Sequence, residues 1–377
     1  MFRSAPYRIF AILLCLAASK TWAHVGTGID VDAQGRVYFI DTSNNRIWRA
    51  DPRGKLTVVA RDVHANGLLL DADGSLYVGD GDYGADGSIV NIWRIGANGS
   101  KTPIVRPSWK GKVLGYVAVD GEGNVYRWNG DNQQRRQSQI IKQTPSGQVT
   151  VLAGGDWGQS DGKGAAAKFG EVGAMTWGPD GSLFVTDGGA VRRVAMDGSV
   201  STLSGKPLAK FAGAAADEPR IPALLGLAVD PLGNVYVADH DNRCVHRISS
   251  DGSITVAARS RWPWSPTGVA YSQGRLYVLE RWGHYYSPLS SLLKMRPRVR
   301  VIATDGKVST LATIGSLPKV ESGLKNGIVA SKTSSARLAP KRISRLSEPA
   351  SGKSWNTKSG SVGSSCHRFE KWPRLRA

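Results

Sequence analysis

One unit, written six times along the chain, constrains the fold more than any other feature. The copies are GIDVDAQGRVYFID (residues 28–41), GLLLDADGSLYVGD (67–80), YVAVDGEGNVYRWN (116–129), AMTWGPDGSLFVTD (174–187), GLAVDPLGNVYVAD (226–239) and GVAYSQGRLYVLE (268–280), the last one residue short. Each reads as a short apolar strand, a tight turn closing on glycine, and a second strand with an aromatic residue at its second position. The turn glycines Gly35, Gly74, Gly123, Gly181, Gly233 and Gly274 follow one another at intervals of 39, 49, 58, 52 and 41 residues. Glycine recurs there because the residue closing such a turn tends to need positive φ.

Repeats of this length with no helical stretch between them predict a propeller. Two more strand candidates follow a pair, as at 46–50 with 55–60, 243–249 with 253–258, and 298–303 with 307–312. The expected fold is all-β: a six-bladed β-propeller of four-stranded antiparallel blades over residues 24–316. Every unit runs from first to fourth strand in order, so no strand is expected to be shared between the ends of the ring, and how the ring closes is left open.

The formal charge of +19 over 377 residues would suggest nucleic acid if it were spread along the chain. It is not: residues 317–377 carry a net +10 and residues 1–23 carry three cations and no acid, which leaves six over nearly 300 residues. That excess gives no footprint for phosphate binding, and no nucleic-acid partner is expected. Three scattered cysteines, Cys15, Cys244 and Cys366, make neither a disulfide framework nor a Cys-based zinc cage.

Arg3 and Arg8 precede a ten-residue apolar run at 9–18, followed by Thr21-Trp22-Ala23 with small residues where a signal peptidase reads. Residues 1–23 therefore read as a secretory signal peptide, and the protein as exported, periplasmic or extracellular. A membrane anchor needs about 20 apolar residues, and no transmembrane segment is expected. Residues 317–377 are rich in Ser, Lys and Arg with few apolar residues, so this tail is expected to be disordered. It reads either as a cationic arm for an anionic surface or as an extension without a selected role; the absence of amphipathic period and motif favours the second.

The segments DTSNNRIWR (41–49), DHDNRCVHRI (239–248) and GNVYVAD (233–239), with the linker at 152–175, resemble NHL repeats of bacterial secreted propellers. That family includes binding modules and enzymes, so the resemblance implies the propeller and leaves activity open. Metal-dependent lactonases of the senescence-marker/gluconolactonase family are similar propellers, and the similarity implies calcium ligands immediately before the glycine of particular first strands. The equivalent positions here are Thr27, Asn66, Gly115, Gly173, Leu225 and Thr267, and Asn66 alone matches. One neutral ligand without carboxylate partners holds calcium poorly, so no metal and no cofactor are expected, with calcium at Asn66 as the alternative. The peptide-amidating lyase is also similar in fold and would imply zinc-binding histidines at those positions, but none of the six is His. His64, His240, His246 and His284 lie elsewhere, with nothing in the sequence to bring them together.

Strand alternation places the loop entering each first strand and the loop leaving each second strand at one end of the ring, called the top. Asp41, Asp80, Asn129, Asp187, Asp239 and Glu280 close the second strands there. They read either as an acidic crown for a cation or polyhydroxylated ligand, or as acceptors for their own turns and repeat arginines. The loops at 79–88, 128–138, 260–267 and 280–288 depart from the minimal repeat and also open on the top. They carry Trp262, Trp264, Trp282 and His284, which suit a sugar, a peptide or another flat ligand, or close gaps between blades. The candidate ligand-binding set is Asn66, Asp80, Asp187, Asp239, Trp262, Trp264, Glu280, Trp282 and His284. No G-x-S-x-G, H-E-x-x-H or P-loop motif occurs. The main functional reading is a ligand-binding or protein-interaction module, and the alternative is a metal-assisted lactonase or esterase. Intact-mass analysis of the exported protein is expected to show His24 as its first residue; retention of residues 1–23 would refute the leader assignment.

Overall fold

In the computed structural model, the described residues are 27–63, 65–83, 89–104, 112–114, 117–130, 134–203, 223–282 and 296–315. The expected leader at 1–23, the tail at 317–377, His64 and His284 lie outside them, as does the side chain of Asp80. The described strands form six antiparallel sheets, one for each repeat and in sequence order. Blades 1, 2, 5 and 6 have four strands each. The innermost strands of adjacent blades touch around the ring, including those of blades 6 and 1. The structure is the six-bladed propeller that the repeat implies.

There is no single core. Six apolar clusters lie between neighbouring blades, and each holds one aromatic residue of the repeat: Tyr38, Tyr77, Tyr126, Phe184, Tyr236 or Tyr277. The aromatic stands at an alternate position of the second strand, so every blade presents it to the next blade. The intervening residues, such as Phe39 and Val278, face the other way. An aromatic ring is wide enough to fill the wedge between two twisted sheets, which explains its place in every copy.

The turns behave as the sequence implies. In blade 5 the Gly233 amide donates to Asp230 O at 2.9 Å with the glycine at φ +80°, while the amides of Leu232 and Asn234 donate to Asp230 Oδ1. The short copy in blade 6 is also explained. Ser272 pairs with Arg275, and Gln273 and Gly274 between them both have positive φ. That is a two-residue hairpin of the type I′ kind, which needs one residue fewer.

Two blades depart from four strands. Blade 4 carries an outermost strand Gly162–Lys163 paired with Ser199 and Val200. Blade 3 carries an innermost strand, Lys112–Leu114, which pairs with Val117–Val119 on the axial side and adjoins blades 2 and 4.

The ring closes by packing. Blade 1 supplies Ile29, Val37, Phe39 and Ala50, and blade 6 supplies Tyr277, Leu279, Val299, Ala312 and Ile314, to one apolar cluster. Gln273 Nε2 donates to Ala33 O at 2.7 Å. At the other end of the seam, buried Arg281 donates to Ser43 Oγ at 2.9 Å. Burial pushes the Arg281 guanidinium down to about 10, against the opposing charge of Asp41.

At the axis the first strands approach more closely than a side chain permits. A Cβ on Gly226 would stand 2.7 Å from Gly268 Cα and 2.9 Å from Thr267 O. One on Gly268 would collide with Thr27 O, and one on Gly28 would lie 2.7 Å from the Leu68 amide nitrogen. All these neighbours are backbone and cannot rotate away. Gly226→Ala is therefore expected to destabilise the propeller by roughly 2 kcal/mol or more, as overpacking does. Gly121→Ala, which meets nothing within 4 Å, is the control. Equal melting of the two variants would contradict the close-approach argument.

Candidate functional site

The first strands of blades 1, 2, 4, 5 and 6 surround an axial cavity of about 220 Å³, lined by residues 27–30, 67–68, 174–176, 226–229 and 269–271. No described residue of blade 3 is among the lining; its added strand Lys112–Leu114 stands inside its first repeat strand. Glycine, alanine and threonine make up half of the described lining, and Ile29, Leu68, Met175, Leu227, Val229, Val269 and Tyr271 supply most of the rest. The one carboxylate in the lining, Asp30, accepts the amides of Val31 and Leu70, each at 2.8 Å. It thereby ties blade 1 to blade 2.

Of the pre-strand positions, Asn66 uses its backbone carbonyl as a staple. That oxygen accepts the amides of Thr27 and Gly28, both at 2.9 Å, and the Thr27 hydroxyl at 3.3 Å. Thr267 is fully buried and donates to Leu279 O at 3.4 Å. A hard cation takes about six to eight oxygens with carboxylates among them. Thr27, Asn66, Gly115, Gly173, Leu225 and Thr267 supply no carboxylate, so they do not fit calcium in the lactonase manner.

The residues closing the second strands are engaged within their own blades. In four blades a side chain at one position of the third strand, two residues beyond the partner of the carboxylate, donates to it. Trp48 Nε1 reaches Asp41 at 3.3 Å, Arg192 reaches Asp187 at 2.8 Å, His246 Nε2 reaches Asp239 at 3.1 Å, and Arg300 reaches Glu280 at 2.9 Å. All four carboxylates are buried. Glu280 also accepts Ser260 Oγ and Arg298, while Asp187 accepts the Gly170 amide at 2.8 Å. Burial holds Asp187 above the usual carboxylate range, against the lowering pull of Gly170 and Arg192. It does the same to Asp41, against Asn44 and Trp48. Asn129 in blade 3 is exposed, and its amide lies 3.4 Å from Gln139 Oε1.

The aromatic candidates separate into different settings. Trp262 is 73% exposed on the loop entering blade 6. Trp264 and Trp282 are half-buried partners across the first two strands of that blade, and the Arg298 guanidinium covers the Trp264 ring at 4.2 Å. Trp128 donates to Ser138 Oγ at 2.9 Å and packs between blades 3 and 4.

Sequence reading missed two features. Lys112–Leu114 was recoverable from the apolar run that ends at Gly115 and resumes at Tyr116. The second feature is the meeting of Asp239, Cys244 and His246, whose ligand atoms all lie within 4.8 Å of one another. Cys244 and His246 share one face of the third strand of blade 5 by two-residue spacing, and Asp239 pairs with Cys244. The pattern D-x4-C-x-H carried that signal once the strand pairing was assigned.

A closed ring of six blades around an axial cavity defines a six-bladed β-propeller. The family model described as SMP-30/gluconolactonase/LRE-like region matches residues 25–280, and the chain belongs to that family. It is 27% identical over 292 residues to Teneurin-3 of Mus musculus, covering 66% of this chain and 10% of that protein. It is 25% identical over 278 residues to Teneurin-3 of Danio rerio, covering 65% and 10%. The chain thus spans about a tenth of the length of these curated relatives. Among solved structures it is similar to regucalcin, a calcium-binding protein of Agrobacterium tumefaciens, with 16% identity, a TM-score of 0.46 and coverage of 72% of this chain and 86% of that one. No helix among the described residues is long and apolar enough to cross a membrane.

Removing the Asp187 carboxylate would take from the fully buried Arg192 guanidinium its buried partner, leaving it partly exposed Asp161 and two carbonyls. Asp187→Ala is expected to cost roughly 3–5 kcal/mol in chemical denaturation, the range for breaking a buried pair. Asp197→Ala, which removes the partner of exposed Lys163, is expected to leave the transition where it was. A small effect at Asp187 would mean that Asp161 and the carbonyls of Ser160 and Lys168 hold Arg192 by themselves.

Proposed function

We propose that this chain is an exported ligand-binding propeller that takes a small polyhydroxylated molecule or a peptide end at the top of its axial cavity. The axial cavity carries the reading. Its described wall combines first-strand backbone with Gly, Ala and Thr and with apolar side chains such as Leu68, Met175 and Tyr271. The one carboxylate among the described lining residues, Asp30, is engaged by backbone amides of blades 1 and 2. Such a lining offers amide and hydroxyl groups for orientation without an acid–base pair or a cation cage. Exposed Trp262 on the loop entering blade 6 adds an aromatic face for stacking. The carboxylates that close the second strands serve the blades, so the ligand is recognised from the axis and the aromatic rim. The leader at residues 1–23 supports export.

The second reading, a metal-assisted lactonase or esterase, is favoured by membership of the gluconolactonase-containing family. In that case Asn66 would be a metal ligand. Oxygens that the six pre-strand positions do not provide would complete the set.

One pair of measurements separates the readings. A ligand that binds only the folded state adds RT ln(1 + [L]/Kd), about 2.7 kcal/mol at a hundredfold excess over Kd, which thermal melting detects. Binding without chemistry predicts a melting rise and tryptophan fluorescence change with a saccharide or peptide, lost in Trp262→Ala while melting of the free protein is unchanged. A calcium-dependent melting rise, abolished by Asn66→Ala and accompanied by lactone hydrolysis, would replace this reading with the second.

A further inference from the structure

The fully buried carboxylates of three blades invite a comparison that the repeat itself provides. In blade 4 Asp187 is neutralised by Arg192, and in blade 6 Glu280 is neutralised by Arg298 and Arg300. In blade 5 the same two third-strand positions hold Cys244 and His246. Asp239 is as buried as its counterparts, yet its partners are Asn242 and His246, and no arginine reaches it among the described residues. Burying a carboxylate without a paired charge is costly. Blade 5 shares this arrangement with blade 1, where buried Asp41 is held by Asn44 and Trp48, and both differ from the arginine pairing of blades 4 and 6.

The replacing side chains, a thiol and an imidazole, are of metal-ligating types. Cys244 Sγ lies 3.4 Å from His246 Nε2, and His246 Nε2 lies 3.1 Å from Asp239 Oδ2, with all three residues fully buried. With Zn–S near 2.3 Å and Zn–N near 2.1 Å, tetrahedral ligands stand roughly 3.5 Å apart, close to these separations. Asn242 donates to Asp239 from its side chain at 2.8 Å and from its amide at 3.1 Å. Such outer partners fix a ligating carboxylate. His246 Nδ1 has no hydrogen-bond partner, so Nε2 is the nitrogen through which the ring meets its surroundings.

We propose that Asp239, Cys244 and His246 form a structural site for a thiophilic divalent cation of the zinc class, supplying in blade 5 the charge that arginine supplies in blades 4 and 6. The ion binds the thiolate, the neutral imidazole through Nε2 and one carboxylate oxygen. The thiol proton leaves to solvent and the imidazole proton moves to Nδ1. A dication held by one thiolate and one carboxylate is neutral overall, which suits a buried position. This site lies within one blade and away from the axial positions, so it stands or falls independently of the ligand-binding reading.

Cobalt(II) added to the metal-stripped full chain is the direct probe, because a thiolate ligand gives a charge-transfer band in the near ultraviolet. The expected result is one bound cobalt with that band, displaced by zinc, and a melting temperature that rises with zinc and falls with chelator. Cys244→Val is expected to lose the band and the metal-dependent shift. His246→Arg restores the pairing of blades 4 and 6, so it is expected to fold without metal and to bind no cobalt. Absence of a thiolate band in the parent, or a zinc-dependent shift that survives in Cys244→Val or His246→Arg, would overturn the proposal.

Discussion

The rest of the molecule depends on the distance of closest approach between first strands at the axis. Between blades 5, 6, 1 and 2 the innermost backbones come nearer than a Cβ allows, and Gly28, Gly226 and Gly268 mark where this occurs. From that contact outward the sheets diverge. Divergence opens wedges, and the wedges are filled by one ring per blade, from Tyr38 to Tyr277. The same close approach brings Gly28, Gly67 and Gly226 into the lining of the cavity.

The polar counterpart is the bond between the end of the second strand and the third. A buried carboxylate held by Trp48, Arg192, His246 or Arg300 pins the middle of the blade where apolar contacts thin out toward the top. A local donor makes such a residue a part of the blade frame, which removes it from the pool of groups facing a ligand. Different donors do the same task, so the repeat tolerates substitution at the donor as long as an N–H is delivered to the same place.

Much of the fold was legible because its determinants are local and repeated. Strand, turn and aromatic recur at fixed offsets, and even the missing residue in the last copy has its cause in the Gln273-Gly274 hairpin. The added strand Lys112–Leu114 left an apolar run as its trace, but it belongs to no repeat and pairs on the axial side of one blade only, so the repeat pattern did not single it out. For the site, sequence could place Asp187, Asp239 and Glu280 at the top but could not say which atoms they would meet. Their partners are set by pairing register, and the same ignorance of register separated Cys244 from Asp239 on the page although they are direct neighbours across two strands. Trp262 and Trp264 look alike in the sequence, yet one faces solvent and the other lies beneath Arg298, a difference decided by a strand more than thirty residues away.

Closure by packing, with blade 1 and blade 6 each built from one uninterrupted stretch of chain, makes the six boundaries between blades equivalent in kind. Where a strand is donated across the ring, the ends of the polypeptide are tied to a particular blade. Here each blade is a self-contained segment of genetic text, and recombination between copies could insert, delete or transpose one without severing a sheet. The unequal spacing of the turn glycines, from 39 to 58 residues, shows how far the ring accommodates copies of different length.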